Sequence, residues 1–535
     1  VSTATRKQLT LVACILGSAV ATVDGTVVNV ALPAIQRDLG GGLADQQWIV
    51  NAYLLTLSSL ILIGGSLSDI FGERRVFAAG ALGFGVVSIG CAAAPTIQVL
   101  IAMRALQGVA GALLVPSSLA VIVATFKDHE RGAAIGAWTA WGGIATVIGP
   151  LGGGWIVDHS TWRWIFIVNV PLVAATLVLV YLVVPDHPPA DSRRRVDVVG
   201  AVLCALGLGG PVFALIHEPS VGWTDATVLV PLIGGVAVFA AFVAWEARTP
   251  QPMLPLGLFR RRNFAVGNLQ TVTMYAGLGI LIFLLVIYLQ GAGGGFTALQ
   301  SGLTLLPVTI IVFLLSRRFG ALADRRGPRW FMAGGGAVAA LGTVLFLMVG
   351  TDPSYVPDLL VPVCVFGLGL AMTVAPLTAA VLADADVDNA GIASAVNNAV
   401  ARAAGLVGVA IIGIVVSSQY ASELDSQLAA AGVSTTSPPA AASVVQEAKA
   451  RPLATINVSS MPASEQPAMS SAIATASTSA FHVGCVVSAL LLLVGAITAA
   501  IGIRDPRRLV RAELCPGGSL AGAPRALAGQ ASEAA

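Results

Sequence analysis

Charge is what this sequence has least of. Asp, Glu, Lys and Arg supply 10% of its 535 residues, against about 25% in soluble proteins. Apolar residues make up 56%, and the mean hydropathy is +0.86. A water-soluble fold of this length needs a charged shell that this composition lacks. A bilayer accepts apolar exteriors as long as the backbone is satisfied internally, so the chain belongs in lipid. The formal net charge of +2 is too small to suggest a nucleic-acid partner. Cysteine is sparse and unpatterned: Cys14, Cys91, Cys204, Cys364 and Cys485 fall in apolar stretches and Cys515 in a polar tail, with no C-x-x-C pair. Neither a disulfide framework nor a metal site is expected. His129, His159, His187, His217 and His482 are scattered and form no H-x-x-x-H pair, so nothing gathers the ligands or bases of a membrane enzyme, and no cofactor is expected. None of Lys7, Lys127 and Lys449 follows a glycine, so the chain has no G-x-x-x-x-G-K-[ST] loop. ATP-driven pumping within this chain is excluded, and the energy for any transport comes from an ion gradient or from the substrate's own.

Long apolar runs fill the space that charge leaves. A hydrocarbon core about 30 Å thick takes around 20 helical residues. Fourteen such runs stand out, at approximately 9–32, 48–68, 76–94, 97–124, 133–157, 164–184, 197–217, 226–246, 264–289, 299–316, 331–350, 356–382, 390–416 and 479–503. Arg6 and Lys7 before the run from Leu9 imitate a signal peptide, but the run is long and ends without an A-x-A pattern, so it reads as an uncleaved first span. Basic residues orient the spans. Arg74, Arg75, Lys127, Arg131, Arg193 to Arg195, Arg260 to Arg262, Arg317, Arg318, Arg325, Arg326, Arg329, Arg504, Arg507 and Arg508 all fall on the side shared by both termini. The opposite loops hold Arg37, Arg163, Lys449 and Arg451. The expectation is a multi-pass cell-membrane protein with both termini cytoplasmic. Its longest outer loop, about 417–478, is rich in Ala and Ser without clear periodicity and reads as a mobile segment. The tail 509–535 reads as disordered.

A motif occurs twice. Gly65, Leu67, Asp69, Gly72 and Arg74 follow the second span, and Gly320, Leu322, Asp324, Gly327 and Arg329 follow the tenth at identical spacing, G-x-L-x-D-x-x-G-x-R. Pro116 faces Pro376, and Gly136 faces Gly391, at nearly the same offset. Spans one to six are therefore a parallel copy of spans nine to fourteen. The predicted architecture is all-α: a bundle of six helices over 1–190, two linking spans over 191–250, and a second six-helix bundle over 251–508. Two such bundles rocking about a midplane site is the logic of alternating access. The motif glycines suit a tight turn through close approach or positive φ, and the Asp and Arg are placed to lock one half to the other.

The duplicated turn resembles the signature of the major facilitator superfamily. Asp24-Gly25-Thr26-Val27-Val28-Asn29-Val30-Ala31-Leu32-Pro33 resembles the first-span motif of its fourteen-span drug:proton antiporters. Arg104, Gln107, Gly108 and Gly111 resemble the fourth-span motif, and Gly136, Gly149, Pro150, Gly153 and Gly154 the fifth-span antiporter motif. Trp162 to Phe166, with Asn169 and Pro171, resemble the start of the sixth span. Ile70, Glu73 and Ala145 depart from the usual residues. The resemblance implies the major facilitator fold, two pseudo-symmetric bundles plus two linking helices. It also implies multidrug efflux by exchange with protons, with the fifth-span motif forming a seal between the halves, in a protein that works as a monomer.

The residues add their own reading. Asp24 is the one acidic residue well inside a predicted span, where a carboxylate is costly unless protonated, paired or facing water. That makes it the first candidate for proton coupling; the alternative is a permanently paired structural Asp, with Asn29 as a partner. At 1.5 Å per residue Asp24 lies ~5 Å and Arg104 ~10 Å outside the centres of their antiparallel spans, a similar depth. Neither has a charged counterpart in the second half, where Gly279 takes the place of Asp24. Arg402 is a further intramembrane charge without an assigned partner. Asn51, Tyr53, Trp138, Trp141, Gln270, Tyr275, Asn397 and Asn398 are candidates to line a pocket. Substrate charge stays open, since Asp24 suits lipophilic cations while Arg104 and Arg402 suit anions or neutral molecules. Export is the expected direction, with proton-coupled uptake of a metabolite as the alternative.

Overall fold

A computed structural model describes residues 3–126, 128–186, 197–250, 252–383, 390–433 and 439–505. The first half comprises α1 (Thr3–Leu39), α2 (Leu43–Phe71), α3 (Glu73–Ala92), α4 (Ile97–Thr125), α5 (Asp128–His159), and a sixth span broken into α6 (Trp164–Ile167) and α7 (Asn169–Val183). Two helices follow, α8 (Val198–Val221) and α9 (Ala226–Glu246). The second half comprises α10 (Arg262–Gln290), the broken span α11 (Ala298–Thr304) and α12 (Leu306–Arg326), α13 (Arg329–Leu345), α14 (Val361–Ala383), α15 (Ala390–Ala430), α16 (Pro439–Ala450) and α17 (Gln466–Gly502). Thirteen stretches among the described residues are long and apolar enough to cross a membrane, and they match thirteen predicted spans in order. The other predicted span, the second, is α2, a helix of 29 residues.

The sequence repeat extends to the packing. In the first half α1 packs on α5 and α7, α4 takes both α2 and α3, and α3 meets α7. In the second half α10 packs on α15 and α17, α14 takes both α12 and α13, and α13 meets α17. Span for span the two patterns coincide. Helices α8 and α9 pack on each other, and α8 reaches both halves through α2 and α15. The most apolar stretch of α9 is only 17% buried, which leaves most of its surface for lipid.

At the two copies of the turn, Gly72 (φ +88°) and Gly327 (φ +92°) take a backbone conformation that side-chain-bearing residues avoid. The next helix starts at once in each case. Arg74 donates to the carbonyl of Tyr181 on α7 at 3.1 Å, and Arg329 to that of Ala500 on α17 at 2.6 Å. Each arginine thus ties the third span of its half to the sixth span of the same half. This corrects the expectation that these arginines lock the halves together: the helix end within reach is their own bundle's. The first glycines bring no helix close, since a Cβ on Gly65 would meet nothing within 4 Å and one on Gly320 only the Ala375 Cβ at 3.4 Å. The side chains of Asp69 and Asp324 lie outside the described residues, as do Lys127, Arg193 to Arg195, the boundary at 190–191 and the tail 509–535.

The expected mobile loop at 417–478 is largely folded. Helix α15 continues to Ala430, α16 adds twelve residues, and α17 begins at Gln466. Tyr420, Leu424 and Leu428 recur every fourth residue, and Ala441, Val444, Val445 and Ala448 follow helical spacing; all are buried. An ion pair from Lys449 to Asp425 at 2.7 Å joins α16 to α15. The chain then turns at Leu453, which is fully buried at φ +67° and accepts a hydrogen bond from Ala292 N at 3.3 Å. Alanine supplied too little side chain to make the periodicity conspicuous, yet small residues are what allow this cap to pack closely. Its α16 end lies against the α1–α2 turn of the other half, where a Cβ on Gly42 would stand 2.7 Å from Ala450 O.

Candidate functional site

Five helices of the first half converge on one buried polar knot. Asp24 on α1 is 0% exposed and Arg104 on α4 is 1% exposed. Arg104 Nη1 is ion-paired with Asp24 Oδ2. Asp24 Oδ1 accepts from Gln107 Nε2 and from Asn169 Nδ2, each at 3.0 Å. Ser88 on α3 accepts from Gln107 at 2.9 Å and from Asn169 at 3.4 Å. Arg104 donates further to Ile49 O at 3.2 Å and to Gln107 Oε1 at 2.6 Å, and its guanidinium sits 4.3 Å from the Tyr53 ring centroid. Tyr53 is in turn anchored on Ala21 O at 3.0 Å. Local sequence sets this up. Arg104 and Gln107 lie one turn apart on α4, and Gly108 beside them has no Cβ to collide with the Tyr53 carbonyl, so α2 and α4 approach closely. Every donor around Asp24 is aimed at its oxygens. A proton arriving there removes the negative charge that these donors satisfy.

Asp24 and Arg104 are thus brought together as their depths suggest, and Tyr53 packs on the Arg104 guanidinium. The partners of Asp24 are Arg104, Gln107 and Asn169 rather than Asn29. Gln107 and Asn169 stood in the sequence only as motif positions, although the one-turn spacing to Arg104 marks Gln107. Ser88 carries no sequence signal of its own. At the position equivalent to Asp24, Gly279 lies 3.2 Å (by its Cβ position) from the Gly405 Cα, a bare helix contact. The paired charges of the knot therefore have no equivalent at this position of the second half.

A second feature joins the halves. On α5, a Cβ on Gly149 or Gly153 would collide with Thr26 or Val27 of α1, so these glycines fit α5 against its own half. Pro150 and Gly154 face the other half: a Cβ on Gly154 would stand 2.7 Å from Ala298 O, and one on Gly302 2.5 Å from Pro150 O. Asp158 of α5 accepts from Ala298 N at 3.0 Å and Leu299 N at 2.8 Å. Gln290 of α10 donates to Val30 O of α1 at 3.1 Å, and Gln47 of α2 donates to Val409 O of α15. These bonds cluster at the end opposite the basic loops. Farther down α5, Gly136, Gly142 and Gly143 face open space, and Trp141 is 50% exposed.

The remaining pocket candidates separate. Gln270 is buried, with Nε2 donating to Met332 O of α13 at 3.1 Å and Oε1 without a partner among the described residues. Asn397 donates to Asn268 at 3.1 Å and to Thr271 at 2.8 Å, pinning α15 to α10. Asn398 is exposed and Tyr275 half-buried. Asn51 is fully buried with both amide atoms lacking a partner among the described residues, and Trp138 Nε1 is likewise unpartnered. Arg402 is half-buried in the first half of α15.

Two like bundles of membrane-spanning helices, a charged knot inside one and a seam between them define a membrane transporter. The family model of the Major Facilitator Superfamily matches residues 14–409, and the chain belongs to that family, whose members carry small molecules across membranes. It is 35% identical over 435 residues to a probable actinorhodin transporter of Streptomyces coelicolor, covering 77% of this chain and 75% of that one. It is 34% identical over 412 residues to a methylenomycin A resistance protein of Bacillus subtilis, covering 76% and 87%. Among solved structures, a bacterial homologue of the lysosomal transporter Spinster superposes with a TM-score of 0.63 at 15% identity, over 94% of this chain and 99% of the other. A xylose transporter of E. coli superposes at 0.56 and 13% identity, over 93% and 97%.

Proposed function

We propose that this protein is a proton-driven exporter of small amphiphilic or lipophilic molecules of the drug and antibiotic kind, working as a monomer by alternating access. The observation that carries this reading is the knot at Asp24. A carboxylate without access to water, held by donors from α4 and α7 and linked through Ser88 to α3, couples titration to helix packing. Protonating it removes the partner of Arg104 and loosens the contacts that hold the first bundle in this arrangement. The seam supports the second element of the mechanism, because one end of the interface is bonded across while α5 faces open space farther down. Exporters of antibiotics among the relatives, including a tetracenomycin C resistance and export protein of Streptomyces glaucescens at 32% identity, support the direction.

The energy source is tested directly. Collapsing the proton gradient with a protonophore is expected to abolish substrate efflux, while depleting ATP with the gradient kept is not. Efflux that survives the protonophore and stops without ATP rejects the reading. Orientation has its own test: reporter fusions after Arg75, Arg195 and Arg262 are expected to report cytoplasm and fusions near Lys449 the outside. A cytoplasmic reading at Lys449 would invert the outer seam assigned here.

A further inference from the structure

Arg402 is a cation that the proposed coupling site leaves without work. Asn397 is bonded to Asn268 and Thr271 of α10, and Gly405 lies against Tyr275 and Gly279 of the same helix. Arg402, between them on α15, therefore stands about 18 Å along α10 from its Arg262 end at 1.5 Å per residue. That is close to the middle of the 29-residue helix. No hydrogen bond or ion pair holds its guanidinium among the described residues. It is near enough to act electrostatically on the phenols of Tyr53 in the first half and Tyr275 in the second. Tyr53 also lies under Arg104. The cations around this ring are Arg104 and Arg402, and the anion is Asp24, whose charge Arg104 already balances. One positive charge is left over, deep in the membrane and partly exposed, on the second half and within electrostatic reach of the first.

A deep charge with no partner is costly, and its persistence points to a partner that comes and goes. We propose that Arg402 is a substrate-binding residue that selects aromatic organic acids, pairing with a carboxylate or phenolate while the apolar body of the molecule lies against Tyr275. This rests on the efflux reading above and names its substrate class. A guanidinium offers a carboxylate two parallel N–H donors, and a desolvated setting strengthens that pair. The membrane potential acts in the same direction, since an interior-negative voltage drives an anion outward.

The test uses purified full-length protein and two fluorescent probes of one shape, anthracene carboxylate and anthracene carboxamide. The wild type is expected to bind the carboxylate at least about tenfold more tightly than the carboxamide. Arg402→Gln is expected to erase that preference by weakening the carboxylate alone, with the carboxamide within about twofold of wild type, and Arg402→Lys to keep part of it. Equal binding of the two probes by the wild type overturns the proposal without recourse to any variant. So does a preference that survives Arg402→Gln, or a loss of both probes in the Gln and Lys variants alike. In proteoliposomes, carboxamide pumped on an imposed proton gradient without acid preference leaves the efflux reading standing and removes this one. A failure to pump either probe counts against efflux, while the binding comparison still decides the role of Arg402.

Discussion

Asp24→Asn is expected to abolish proton-coupled efflux, leaving only passive leak of substrate. Asn keeps the size of the side chain and can still accept from Gln107 or Asn169, but it cannot take up or release a proton. The structure adds a cost. Arg104 is buried with Asp24 as its only ionic partner among the described residues, so neutralising Asp24 strands a cation in the bundle. Breaking one side of such a pair typically costs about 3–5 kcal/mol. Lower expression and thermal stability are expected for the single variant. Adding Arg104→Gln is expected to restore the stability and not the efflux. The measurement is substrate-induced proton release from purified protein, compared between wild type and the double variant. If the double variant still releases protons on binding and still pumps uphill, Asp24 is structural and the coupling site lies elsewhere.

Gly154→Val is expected to produce the second large effect, by a different route. The new side chain would project into the backbone of Ala298 and Leu299, and backbone atoms in a capped helical turn do not yield as a side-chain tip would. Overpacking of this kind costs about 1–3 kcal/mol, and here it falls on the contact between the halves rather than on either core. Each bundle is expected to fold, with the seam displaced toward its open state. A cysteine placed at Gln290, which bridges α10 to α1 in this arrangement, is expected to react faster with a membrane-impermeant maleimide in the Gly154→Val background, and efflux to fall. Unchanged labelling together with normal transport would mean that α5 and α11 do not form a gate. Gly136 is the internal control. It faces open space, so Gly136→Ala is expected to leave the labelling rate unchanged.

The two substitutions also mark what could be read from residues alone. The spans were legible because a bilayer imposes their length, and the repeat because a ten-residue turn occurs twice with one spacing. Asp24 and Arg104 stood out because ionisable groups are rare inside spans, and their shared depth followed from helical rise. Gln107 and Asn169 were visible as residues without visible roles. Ser88 was silent, since one more serine in an apolar span predicts nothing until the neighbouring helix is known. The folded cap at 417–478 was missed for a related reason: alanine-rich helices carry their periodicity in small side chains, and their burial depends on surfaces supplied by α10 and the α1–α2 turn. The partners of the motif arginines are not legible in the sequence, which places them at a turn, while only the bundle places Tyr181 and Ala500 within their reach.

By itself the sequence determined that this chain is a helical membrane protein of fourteen predicted spans in two like halves, without an ATP site, carrying isolated charges at Asp24, Arg104 and Arg402. Those properties follow from composition, length and repetition, which the solvent fixes for each segment separately. Only the tertiary structure decided which of those charges are paired. Packing α1, α2, α3, α4 and α7 together closes Asp24 and Arg104 into one hydrogen-bonded knot, while Arg402 on α15 makes no hydrogen bond or ion pair among the described residues. The physical reason is that a charge buried in lipid is stable only with a partner, and partners 80 to 145 residues apart meet only once the helices have packed.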